Sequence, residues 1–297
     1  MVTIYTQLIG IAGGNTIGTA PCSNIYGLKV FDDNGSNGYS SSIISALNVV
    51  KQRHLANPNA KSVVSMSLSG YCDSLCAENP VNQLISSLHD LGILFSVSAG
   101  NNGGSDACSY VPASASDAIT VAASDQQDNL ARYSNVGSCV DIIAPGTAVN
   151  SACTNGVGPR ACLDDRSYKV LSGTSMSAPH VAGVLAQLLE KHPTSFNSSP
   201  DSVKSALLCD AAQNKIQGVP LGPTPNLLVQ IPKDHNFNKC LPTAAPSLRP
   251  TVLPTATWQP VAPSMSPTGP SRRPSTMQPS VVPSLTPTLV PTACLIM

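Results

Sequence analysis

The sequence predicts an α/β protein: a parallel sheet between helices over residues 1–235, followed by a Pro/Ser/Thr-rich tail over 236–297. Three observations carry this. Strand-type and helix-type apolar patterns alternate along the first part. Hydrophobic residues make up 42% of the 297, enough for a core, while charged residues make up only 11%. The composition breaks near Cys240, beyond which lie thirteen of the 26 prolines, no Asp or Glu, and a single aromatic, Trp258.

The elements follow in order. Ile25 to Phe31 is a short apolar run closed by Asp32-Asp33-Asn34-Gly35, a turn signal. Residues 41–56 have helical periodicity, with Ile43, Ile44, Leu47 and Val50 on one side. Val63 to Leu68 reads as a strand, Val81 to Leu91 as a helix, and Ile93 to Ser98 as a buried strand. Ile119 to Ala123 and Val140 to Ile143 are further strands; Ser175 to Glu190 and Pro200 to Leu208 are helices. Such alternation implies parallel strands covered on both faces, with functional groups at their carboxyl ends.

The tail repeats Pro-Ser-Leu-Arg-Pro-Thr, Pro-Ser-Met-Ser-Pro-Thr and Pro-Ser-Leu-Thr-Pro-Thr. Proline at that density predicts an extended, polyproline-II-like and disordered segment that makes few contacts with the core. Ser and Thr beside Pro read as an O-glycosylated stalk, with a plain flexible linker as the alternative.

Sixteen basic residues balance sixteen acidic ones. That excludes a nucleic-acid footprint, which needs a basic surface, and a polybasic membrane-surface protein. No run of eighteen apolar residues occurs, so no membrane span is expected. Ten cysteines, with glycosylation sequons at Asn34-Gly-Ser and Asn197-Ser-Ser, predict a secreted, disulfide-forming protein. Zinc is the rival use of cysteine, but Cys72 and Cys76 have no second pair at zinc spacing.

Two segments carry chemistry. In Leu171-Ser-Gly-Thr-Ser-Met-Ser-Ala-Pro-His-Val-Ala-Gly183, a Gly turn delivers Ser175 to the first turn of an apolar helix. Free backbone N–H groups and the positive helix end favour a nucleophile there. In Ser96-Val-Ser-Ala-Gly-Asn-Asn-Gly-Gly104, a strand ends at Gly100 and Asn101 offers an amide donor for a developing oxyanion. The plainer alternatives are a helix-terminal serine and a turn-forming asparagine.

These segments resemble the serine and oxyanion-asparagine motifs of the subtilisin-like serine proteases, closest to the proteinase K branch. The resemblance runs from Gly10 to about Leu228. Gly27-Leu-Lys-Val-Phe-Asp-Asp-Asn-Gly35 resembles the strand and turn after the histidine helix. Ser67-Leu68-Ser69-Gly70 resembles the substrate-edge strand, with Ser69 where the family carries Gly, and Ser98-Ala99-Gly100 the opposite wall of the specificity pocket. Tyr133-Ser-Asn-Val-Gly to Asp141-Ile-Ile-Ala-Pro-Gly146 resembles the loop and strand before the serine segment.

The resemblance implies a serine endopeptidase acting on protein or peptide substrates, a monomer that requires no cofactor. It also implies a triad in the order Asp, His, Ser. The histidine position falls on Ile4, and no Asp motif precedes it. His180 lies five residues beyond Ser175 on one helix, about 140° away, and resembles the family's structural histidine. His54, His89, His192 and His235 read as solvated histidines without carboxylate partners. In the family the Asp strand lies mid-sheet, so the Ile25–Phe31 and Val63–Leu68 strands are expected to lack their shared neighbour. The sequence therefore reads as N-terminally truncated, with its first eight residues foreign. The rival is a non-catalytic pseudoprotease, a peptide-binding or stalk-borne interaction protein, which needs another way to close its sheet.

The resemblance also implies a disulfide Cys108–Cys139; a Cys153–Cys162 bond would close a short loop upstream of the serine segment, and Cys72–Cys76 would be a local one. The resemblance implies a structural calcium at the Asp141 carboxylate and the Ser116 and Ala118 carbonyls. An Asp capping its own loop is the other reading. The last four residues, Cys294-Leu-Ile-Met297, fit a prenylation signature, read as coincidence in a secreted chain.

Overall fold

A computed structural model describes residues 2–31, 40–57, 59, 61–153, 168–192, 199–232 and 293–296. The first half holds α1 (Val2–Gly13), β1 (Asn24–Tyr26), α2 (Ser40–Ala56), β2 (Lys61–Met66), β3 (Gly70–Tyr71), α3 (Pro80–His89), β4 (Leu94–Ser98), β5 (Tyr110–Val111) and β6 (Ile119–Ser124). The second half holds β7 (Ile142–Pro145), β8 (Val149–Ala152), β9 (Tyr168–Leu171), α4 (Thr174–Lys191), α5 (Pro200–Asp210), β10 (Ala212–Gln213), β11 (Leu227–Leu228) and β12 (Ala293–Ile296).

Among the described residues the main sheet runs β1-β12-β2-β4-β6-β7-β11-β10. Its neighbours pair in parallel except β10 on β11. Every residue of β4 and β6 is buried, as expected of central strands covered on both faces. The two-residue period of a strand decides which layer each side chain joins. Val63 and Leu94 face the layer of α1, α4 and α5, with Leu8, Ile11, Val181, Leu185 and Val203. Val64 and Phe95 face the layer of α2 and α3, with Ile43, Leu47, Ile85 and Leu88. Burying each such side chain contributes roughly 1.5–3 kcal/mol. The α/β sandwich expected from the alternation is thus the fold observed. No described helix is long and apolar enough to cross a membrane.

Two expectations need correction. The C-terminal residues were expected to stay off the core, but Ala293–Ile296 forms β12 inside the main sheet. It pairs with β1 through Asn24–Cys294 to Tyr26–Ile296, and with β2 through Lys61–Ala293 to Val64–Ile296. The second correction follows: β1 and β2 do share a neighbour, so the central gap is filled. A strand between two strands satisfies backbone groups on both of its edges, and their burial unpaired would cost about 1–3 kcal/mol each. The tail's remaining residues, 236–292 and 297, lie outside the described residues.

The N-terminus also packs against the core. Val2–Gly13 is a helix, and Leu8, Ile11 and Ala12 are buried in the core. Gln7 donates from its amide to the Lys169 carbonyl, and Ser151 Oγ donates to the Gln7 carbonyl. The loop after α1 also lies close on α4: a methyl on Gly183 would stand 2.6 Å from Thr19 Cβ and 2.9 Å from the Ala12 carbonyl. These residues are integrated into the domain.

Candidate active site

Helix α4 begins at the carboxyl end of the sheet, and its first turn is held by hydroxyls from four directions. Gly173 precedes it at φ 153°, a backbone conformation that favours glycine. Thr174, fully buried, accepts at Oγ1 from Gly100 N at 3.2 Å. Ser177 Oγ donates to the Ala144 carbonyl, and Ser96 Oγ to the Ala178 carbonyl. Ser67 Oγ donates to the Ser175 carbonyl at 2.7 Å. The last bond has a covalent cause. Residue 179 should donate to the carbonyl of residue 175, but Pro179 has no N–H. Ser67 supplies the missing donor from the neighbouring strand end.

Asn101 is fixed by the same turn. Its Oδ1 accepts from Thr174 N at 2.8 Å and from Thr174 Oγ1 at 2.9 Å. This leaves Nδ2 as the amide's other polar atom. A methyl placed on Gly173 would lie 3.5 Å from Asn101 Nδ2 and 3.7 Å from Ser175 N. Two N–H donors therefore flank one small open volume beside the partly exposed Ser175. Neither donor has an acceptor among the described residues.

The two expected substrate walls also come together. Ser98 Oγ donates to the Leu68 carbonyl at 3.2 Å. Ser98, Ala99 and Gly100 are buried, while Ser69 and Gly70 are exposed at the edge. Gly70 continues into β3, which pairs with β5 through Gly70–Val111 and Tyr71–Tyr110. The two tyrosine rings pack edge to face. Gly100 sits at φ 104°, and a methyl there would strike the amide of Asn135. That buried Asn135 donates to the Ala99 carbonyl and accepts from Asn102 N.

No histidine among the described residues bonds Ser175. His180 donates from Nδ1 to the Met176 carbonyl at 2.8 Å, and burial holds its pKa below the ordinary 6.5. It is a structural histidine, as expected. His54 and His89 depart from the solvated expectation. His54 bonds Ser62 Oγ and the Leu91 carbonyl, each at 3.0 Å. His89 is buried and does have a carboxylate partner, Asp201 Oδ1 at 3.3 Å. Asp201 reaches His89 from α5, far along the sequence. His235 lies outside the described residues, as do the Asn34 and Asn197 sequons. Ile4, where the resemblance places the catalytic histidine, lies within α1.

The expected calcium ligands do not fit a metal. Lys204 Nζ lies 2.8 Å from Asp141 Oδ1, 2.8 Å from the Ala118 carbonyl and 3.3 Å from the Ser116 carbonyl. Calcium needs those oxygens at about 2.3–2.6 Å, in the space the ammonium fills. The other Asp141 oxygen, Oδ2, accepts from Thr120 N at 2.8 Å, so the carboxylate also caps its own loop. Disulfides Cys108–Cys139 and Cys72–Cys76 are formed. Cys153 is disulfide-bonded too, and Cys162 lies outside the described residues.

Sequence reasoning missed Thr174, Asn135 and Lys204. A signal existed for Ser67 as a partner of the nucleophile's turn: a proline four residues after Ser175 orphans a carbonyl. None existed for Lys204, which reaches the Asp141 loop from a separate helix.

The Subtilase family matches residues 6–226. The chain is 34% identical over 235 residues to Subtilisin-like serine protease Pen ch 18 of Penicillium rubens, covering 75% of this chain and 44% of that protein. It is 35% identical over 227 residues to Extracellular serine proteinase of Thermus sp. (strain Rt41A), covering 76% and 50%. It is 39% identical over 185 residues to Proteinase T of Parengyodontium album, covering 62% and 57%. A crystal structure of a cold adapted subtilisin-like serine proteinase superposes with a TM-score of 0.65 at 32% identity, covering 78% of this chain and 76% of that one. The chain spans about half the length of the first two of these relatives.

Proposed function

The chain belongs to the subtilase family, and from that premise we propose that it carries the nucleophile and oxyanion half of a secreted serine endopeptidase site. The carrying observation is the turn at Asn101. Thr174 occupies Oδ1, so Nδ2 and Ser175 N are left as two donors beside the Ser175 side chain. In this reading Ser175 Oγ attacks the scissile carbonyl, and Asn101 Nδ2 with Ser175 N–H holds the oxyanion. Loss of one such donor costs about 10²–10³ in turnover, a magnitude that comes from a subtilisin, a member of this family. Substrate lies extended between Ser67–Gly70 and Ser98–Gly100, pairing as an added strand. Oxidised cysteines and an extracellular relative support secretion.

Turnover needs a base to take the Ser175 proton and return it to the leaving amine. His180 does not serve, because its Nδ1 is bonded to the turn of its own helix. Among the described residues no histidine bonds Ser175. The second reading is a peptide-binding pseudoprotease that uses the same walls.

The experiment is fluorophosphonate labelling of Ser175 and hydrolysis of a fluorogenic peptide. Residues 1–297 alone should do neither. With an Asp-bearing strand and a His-Gly-Thr-His turn added ahead of residue 1, and the Asp strand taking the place between β1 and β2 that β12 fills, the chain should do both. Peptide binding without labelling in the extended chain would decide for the pseudoprotease.

A further inference from the structure

We propose that the Lys204 ammonium is a built-in structural cation that occupies the family's calcium position and makes this domain independent of calcium. An ammonium has three N–H donors, and three oxygens surround it: Asp141 Oδ1, the Ala118 carbonyl and the Ser116 carbonyl. The set is one carboxylate and two carbonyls, the oxygen chemistry a hard divalent cation takes. A single positive charge balances the single carboxylate, whereas a divalent ion on these oxygens would leave a net positive site.

The lysine is held in place for this task. Val203, Ala206 and Leu207 on either side of it are buried in the core, which fixes the Cα of residue 204 on α5. About four-fifths of both the Lys204 and the Asp141 side chains is shielded from water. Asp141 is pinned independently, by the Thr120 N–H on Oδ2 and by its own N–H donated to the Thr120 carbonyl. The ammonium thus ties α5 to the start of β6 and to the approach to β7. The 116–118 segment follows β5 in the chain, the strand paired with the substrate edge at Gly70–Val111 and Tyr71–Tyr110.

The test is thermal unfolding of the parent chain and of Lys204→Met, each with millimolar calcium and with excess EGTA, with terbium luminescence as a direct metal readout. The parent is expected to melt at the same temperature in calcium and in EGTA and to show no terbium signal that Asp141→Asn abolishes. Lys204→Met is expected to melt several degrees lower in EGTA, to recover most of that loss in calcium, and to gain a terbium signal. Lys204→Gln serves the same comparison if the Met variant does not fold. A parent that melts lower in EGTA overturns the proposal, because calcium then binds despite the lysine. A Lys204 variant that melts with the parent, or that calcium does not restore, overturns it as well.

Discussion

The Ser67 hydroxyl donates to the main-chain carbonyl of Ser175 at 2.7 Å, completing a helix turn that Pro179 leaves open. The substrate-edge strand and the nucleophile are thereby joined by one hydrogen bond. Ser67→Ala should orphan that carbonyl and lower stability by about 1–2 kcal/mol, read as a shift in the urea midpoint. Pro179→Ala restores an N–H at residue 179. In that background Ser67→Ala should cost less, and equal costs in the two backgrounds would refute the account.

Acid stability should carry the signature of His180. Burial holds its folded pKa below the ordinary 6.5, so between the two values the unfolded chain binds the extra proton. Stability from this residue is therefore full above about pH 6.5 and falls as pH drops through that window. Replacing it with Gln should flatten the pH dependence of the denaturation midpoint below pH 6.5 relative to the parent. An unchanged slope would show that His180 takes up no proton on unfolding.

The β12 strand should matter to the whole sheet. It pairs on both sides, with Leu295 opposite Ile25 and Val63. Removing residues 291–297 strands the facing edges of β1 and β2. At ~1 kcal/mol net per ladder bond the loss is a few kcal/mol, a sizeable share of a domain's typical 5–15. Leu295→Pro should act alike, since proline cannot donate within a central strand. Urea denaturation reads both, and an unchanged midpoint would mean that β12 does not hold the sheet together.

The two resolved disulfides should contribute unequally. Cys108–Cys139 closes a separation of 31 residues and Cys72–Cys76 one of 4. Chain entropy assigns about 3–4 kcal/mol to the first and about 2 to the second. Paired Ser substitutions, compared by urea midpoint, should rank in that order.

Much of the fold was legible because its signals are local. Val63-Val64 and Leu94-Phe95 alternate between two layers, and Val181, Leu185 and Leu188 recur at helical spacing; both periods are written in neighbouring residues. The Gly-bearing turns that present Asn101 and Ser175 are local in the same sense. The sequence alone therefore determined the α/β class and the order of the central strands and helices, and it singled out Ser175 and Asn101 as the candidates of the site.

Tertiary structure decided what depends on distant partners. Backbone pairing carries little side-chain code, so nothing in Ala293–Ile296 announces a strand between β1 and β2. The same ligand pattern at Asp141, Ser116 and Ala118 suits a metal or a lysine, and only the placement of α5 selects the lysine. His89 meets Asp201 for the same reason, since α3 and α5 become neighbours only in the fold. A hydrogen bond or ion pair needs its two atoms within about 3 Å, and sequence separations of 86 to 112 residues do not report that distance.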